Sequence, residues 1–216
     1  MPERQQEVLF MQKNKRLVYL VELAVLLAIL IMLEVTGLGM FKTFGLELTI
    51  LQIPVVIGAI VLGPSAGAIL GCSFGLLSFW ECFGKSQFGA TLLGINPFLT
   101  FLVCVPTRAL MGWLCGLIFK GLDRRLGGGK ADFVSYLVGS LSGALLNTFF
   151  FMATLCLCFY RTDYIQSIAG AVGAKNVLMF VVLFVGVQGL VEAALCTVVA
   201  SGVGKGVRHA LYRTRC

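Results

Sequence analysis

Six long apolar stretches occupy most of this chain, running from about Leu17 to Val35, Ile50 to Leu62, Pro64 to Trp80, Pro97 to Phe119, Phe133 to Phe159 and Asn176 to Val203. A bilayer core about 30 Å thick is crossed by roughly 20 apolar residues in a helix, and inside lipid a helix satisfies all of its own backbone groups. The second stretch is short and borrows Glu47 to Thr49 as a partly buried entrance. Gly63-Pro64 breaks the chain after it, and Pro64 suits the first turn of the next helix. With only 12% of its 216 residues charged and 58% hydrophobic, and a mean hydropathy of +0.95, little of the chain is left for water. The expectation is an all-α membrane protein, a compact bundle of six transmembrane helices.

Basic residues set the orientation. Arg4, Lys13, Lys15 and Arg16 precede the first stretch, Lys120, Arg124, Arg125 and Lys130 separate the fourth from the fifth, and Lys205, Arg208, Arg213 and Arg215 follow the sixth. The opposite side holds Lys42, Lys85, Arg161 and Lys175. The positive-inside rule then places both termini in the cytoplasm, giving a basic tail at 1–16, a membrane domain at 17–204 and a second basic tail at 205–216. The +7 net charge is read as membrane anchoring, with no nucleic-acid partner. The first stretch is too long for a cleaved signal and is expected to persist as a helix. Connections 36–49, 81–96 and 160–175 fall outside, with material for a lid.

Several function classes lack their residues. No GxxxxGK[ST] segment is present, so the chain cannot hydrolyse ATP by that route. The histidine, His209, lies beyond the last stretch, which excludes an H-E-x-x-H zinc protease. Cys156 and Cys158 form a C-x-C without further ligands at metal spacing. No catalytic group, metal site or cofactor is expected. A structural or assembly membrane protein remains the rival from another class, because it needs no site.

Gly63, Gly67, Gly71 and Gly75 recur every fourth residue, a side-chain-free stripe that lets another helix approach closely. Ala24 and Ala28 make a small-xxx-small pair in the first stretch. The polar residues within the apolar stretches carry the functional argument, because a charged group there costs about 2.5–3.5 kcal/mol unless it faces a partner or a cavity. Arg108 lies near the middle of the fourth stretch, Asn147 is central in the fifth, and Gln188 and Glu192 are one turn apart in the sixth. Asn147 shares a face with Ser140, Gly143 and Thr154. Two readings stand open: a buried Arg108–Glu192 ion pair that holds the bundle in register, or a hydrophilic pocket opening outward. Asn96 at the mouth, Gln52 at the start of the second stretch and Glu34 at the outer end of the first would join that pocket, whereas Glu22 snorkels toward the cytoplasm.

The segment LELTILQIPVVIGAIVLGPSAGAILG (46–71) closely resembles the substrate-binding S components of energy-coupling factor (ECF) vitamin transporters. The basic amino-terminal tail, the Ala24/Ala28 pair, the Phe74–Phe79 segment FGLLSF and Pro106-Thr107-Arg108 match as well, and the resemblance covers essentially the whole chain. It is greatest to members assigned to pantothenate, and some very similar members take cobalamin. The resemblance implies a six-helix subunit of a bacterial plasma membrane importer that captures a vitamin from outside. It implies docking through Ala24 and Ala28 on a membrane scaffold (T) subunit, ATP hydrolysis by two separate ATPase subunits, and a lid at 36–52. Pantothenate, a small carboxylate with hydroxyls and an amide, suits a guanidinium, which holds a carboxylate bidentately. Riboflavin would use aromatic stacking and cobalamin a wider mouth, and Trp80, Phe83 and Phe88 keep both open.

Overall fold

The computed structural model describes residues 2–37, 39–43, 46–126 and 130–214, with side chains described for 16–37, 39, 49–125, 133–186 and 189–207. Its elements run α1 (Pro2–Val35), β1 (Met40–Thr43), β2 (Leu46–Thr49), α2 (Gln52–Val61), α3 (Pro64–Glu81), α4 (Gln87–Ile95), α5 (Pro97–Leu126), α6 (Lys130–Phe159), α7 (Asp163–Ala171) and α8 (Val177–Thr214). Each of the six apolar stretches coincides with one helix. By length and composition, Arg16–Val35, Pro97–Arg125, Phe133–Phe159 and Gly189–Val207 are sufficient to cross a membrane. The glycines and serines of α3 dilute its hydropathy below that of a typical span, for a reason its packing makes plain.

Nearly every residue of α2 is buried, as expected of a helix that is apolar all round. It packs against α1, α3, α5, α6 and α8. Ile53, Val56, Ile57 and Ile60 join Phe119, Tyr136 and Cys196 in one apolar cluster. Val55 joins Leu30, Leu70, Phe74 and Met111 in a second. The outer faces carry exposed aliphatics such as Leu157, Leu178 and Val198, at 86%, 81% and 72% exposure. Apolar surface on that scale belongs against lipid.

The glycine stripe of α3 finds its partner in α5. A Cβ at Gly67 would run into the Gly112 carbonyl, one at Gly71 into the Arg108 carbonyl, and one at Gly75 would lie 2.6 Å from Val105 Cα. The two backbones are therefore in direct contact along three turns. Gly63, with φ of 97°, forms the bend that turns α2 into α3, and Pro64 occupies the first turn of α3.

The three connections expected outside hold structure of their own. The first forms an antiparallel hairpin in which Met40 pairs with Thr49 and Thr43 with Leu46. The second contains α4, whose Ser86 caps its start by accepting from Gly89 N at 3.2 Å. The third contains α7, with Asp163 in its first turn, where a carboxylate complements the helix dipole.

Candidate functional site

These elements enclose a cavity of about 1020 Å³, with walls from α3 through α8 and the end of β2. Small-ligand sites occupy roughly 300–1,000 Å³ and place a few polar groups among apolar walls. Here Arg108, Asn147 and Glu192 all line the same cavity, so the polar groups of α5, α6 and α8 do converge. Ser78, Glu81, Lys85 and Thr100 add further polar surface, and Phe88, Phe151, Tyr164 and Phe184 add aromatic surface.

Arg108 is 9% exposed. Its Nη1 donates to the Cys104 carbonyl at 3.1 Å, which turns the side chain toward the amino-terminal end of α5, the direction helical side chains favour. The guanidinium lies 4.7 Å from the centroid of the Phe74 ring and 5.5 Å from that of Phe151. A cation held against two aromatic faces gains further attraction. Its buried Nε–H has no hydrogen-bond partner among the described residues. Pro106, inside α5, lacks an N–H and so cannot donate to the Leu102 carbonyl one turn earlier. The fork is thus fixed in place with donor capacity left over.

Glu192 is 8% exposed. Its Oε1 accepts the backbone N–H of Thr49 at 2.8 Å, so α8 fastens the last residue of the hairpin over the cavity. Glu34 is 4% exposed and its Oε1 accepts from Lys85 Nζ at 3.1 Å. Glu34 itself stands outside the cavity lining, while Lys85 belongs to it. Asn96 is the cap of α5: its Oδ1 accepts from Phe98 N at 3.1 Å and Leu99 N at 3.2 Å. Gln52 is 1% exposed at the start of α2, and its Oε1 has no partner among the described residues. Asn96 and Gln52 are not part of the cavity lining. Gln188 falls on α8, but its side chain lies outside the described residues.

Of the aromatic residues singled out above, Phe88 lines the cavity, whereas Trp80 and Phe83 are exposed at 68% and 66%. Sequence reasoning missed Lys85, Ser78, Thr100 and Tyr164. The Ser86 cap was the available signal for Lys85, because it fixes the turn from which that residue projects. Ala24 and Ala28 are exposed on α1, flanked by exposed Leu20, Val21 and Val25.

A bundle of apolar helices around a mixed polar and aromatic cavity is the arrangement of a membrane protein with room for a small ligand. The chain belongs to the family of ECF transporter substrate-specific components, whose model matches residues 18–204. It is 30% identical over 178 residues to the pantothenic acid transporter PanT of Lactococcus lactis subsp. cremoris, covering 76% of this chain and 86% of that protein. It is 35% identical over 104 residues to the pantothenate transporter PanT of Leuconostoc mesenteroides subsp. mesenteroides, covering 48% of each. The chain is thus a transporter subunit of a membrane.

Proposed function

We propose that this chain is the vitamin-binding subunit of an ECF importer, that it takes pantothenate from outside the bacterial plasma membrane, and that it delivers pantothenate to the cytoplasm. The observation that carries the substrate is the buried Arg108 fork in the cavity wall, with Asn147 beside the same space. A guanidinium with free donors pairs with a carboxylate in two parallel hydrogen bonds. Phe151 and Phe184 supply apolar wall for the dimethyl part of the ligand. The names of the two relatives agree with this chemistry. Binding of pantothenate, riboflavin and cobalamin to the purified protein by calorimetry tests the assignment. Tight binding of riboflavin or cobalamin with none of pantothenate would replace the vitamin and keep the transporter.

In the membrane, the reading is six spans, domain 17–204, with the basic tails 1–16 and 205–216 in the cytoplasm. The asymmetric basic residues support it. Cysteines introduced at Lys85 or Gln166 should react with an impermeant maleimide on intact cells. One introduced at Gly128 should react only after permeabilisation, and labelling of Gly128 from outside would reverse the orientation.

The energy would come from partners: a T component and two ATPase subunits. Ala24 and Ala28 are exposed and small, so a partner helix can approach the α1 backbone there. The double variant Ala24→Leu/Ala28→Leu should lose assembly with the scaffold yet bind pantothenate as the wild type does. Copurification of the intact complex with that variant, transporting at the wild-type rate, would remove α1 as the docking face.

A further inference from the structure

The cavity has a second cation that the pantothenate reading leaves unused. Lys85 lies in the turn between α3 and α4 and lines the cavity. Its side chain is 54% exposed, which puts it at the rim, whereas Arg108 is 9% exposed and deep.

A lysine at a rim ordinarily samples many rotamers, but here both ends of the residue are tied. The backbone N–H groups of Gly84, Lys85 and Ser86 all donate to the Glu81 carbonyl, at 3.3, 3.0 and 3.0 Å. Gly84 permits that tight turn with φ of 141°. At the other end, Nζ donates to Oε1 of Glu34 at 3.1 Å. Glu34 sits at the end of α1 and is 4% exposed. A buried carboxylate is costly to leave without a counter-charge, so Glu34 holds the ammonium where it is. An ammonium carries three N–H donors. Glu34 takes one, and the group retains capacity for two more toward the cavity.

From this geometry we infer that Lys85 is a second substrate contact at the cavity mouth, with Glu34 as its positioning residue. The cavity then selects a ligand with acceptors at both ends. An anionic group meets Arg108 at depth, and hydroxyl or carbonyl oxygens meet Lys85 at the rim. This inference rests on the pantothenate reading, and pantothenate has that layout: a carboxylate at one end and hydroxyls with an amide carbonyl toward the other.

The test uses the full-length protein and two ligands, pantothenate and its alcohol analogue, in which CH2OH replaces the carboxylate. Lys85→Met should weaken both ligands equally, by about tenfold, because Lys85 reads the part they share. Arg108→Ala should weaken pantothenate far more than the alcohol. Lys85→Arg should stay within about threefold of wild type, as an alternative donor at the same place. Glu34→Gln should weaken both ligands, and Lys85→Met/Glu34→Gln should be no worse than Lys85→Met alone, because Glu34 acts through Lys85. If Lys85→Met lowers the melting temperature while both affinities stay unchanged, the pair is only a strap between α1 and the α3–α4 turn, and the inference falls. A wild type that binds riboflavin or cobalamin instead defeats the pantothenate reading separately. Lys85→Met measured with that vitamin then decides the rim contact, and unchanged affinity overturns it.

Discussion

Purified Arg108→Ala protein should bind pantothenate about 10- to 150-fold more weakly than the wild type, the scale of one hydrogen-bonded charge at about 1.5–3 kcal/mol. Two features of the site make the effect large. The guanidinium is nearly buried, and a charged hydrogen bond is stronger where water is excluded. It is also held in advance by the Cys104 carbonyl and the faces of Phe74 and Phe151, so little ordering is left for the ligand to impose. Arg108→Lys should recover only part of the loss. An ammonium restores the charge, but it has neither the two-pronged geometry nor the flat face that lies against the two rings. Calorimetry on the three proteins reads this directly. Unchanged affinity in Arg108→Ala would assign the guanidinium to holding the bundle together and would move the carboxylate to Lys85.

Why the helices were legible and the mouth of the cavity was not follows from the range of the interactions involved. An apolar stretch declares itself within 20 residues, and α1, α2, α3, α5, α6 and α8 each fall on one. The convergence of Arg108, Asn147 and Glu192 was likewise readable, because three polar residues at similar depth in neighbouring helices have few alternatives to facing one another. The contacts of the carboxylates were not. Glu192 meets a backbone N–H 143 residues away, and Glu34 meets a lysine 51 residues away, and no local pattern pairs either carboxylate with its partner. Asn96 is the opposite case, a contact with a local signal. An asparagine immediately before a proline that starts a helix is a capping residue, and that is the job its Oδ1 performs. The hairpin escaped for a third reason: its strands are four residues each, too short to declare a period. The connection that holds α7 did carry a signal, because Ile165, Ile168 and Ala169 recur on one helical face and pack into the core.

The largest effect on the fold itself is expected at Gly71, where Gly71→Leu should yield no folded protein after extraction and Gly71→Ala should cost about 1–3 kcal/mol, the usual range for overpacking a closed interior. Without a strong hydrophobic drive between helices in lipid, close backbone approach is a main source of helix association, and α3 and α5 have that approach along three turns. A Cβ at Gly71 would run into the Arg108 carbonyl and lie 3.1 Å from Ala109 Cα. Those are backbone atoms of a second helix, so no rotamer change can move them aside, and α5 must shift as a body. Because α5 carries Arg108, the shift reaches the cavity. Gly71→Ala should therefore weaken pantothenate binding as well as lower the melting temperature. Gly94→Ala is the matched control: a Cβ there meets nothing within 4 Å, and both readouts should stay at wild type. A Gly71→Leu protein that folds and binds normally would show that α3 and α5 can separate without consequence, and the backbone contact could then no longer be what sets the position of Arg108.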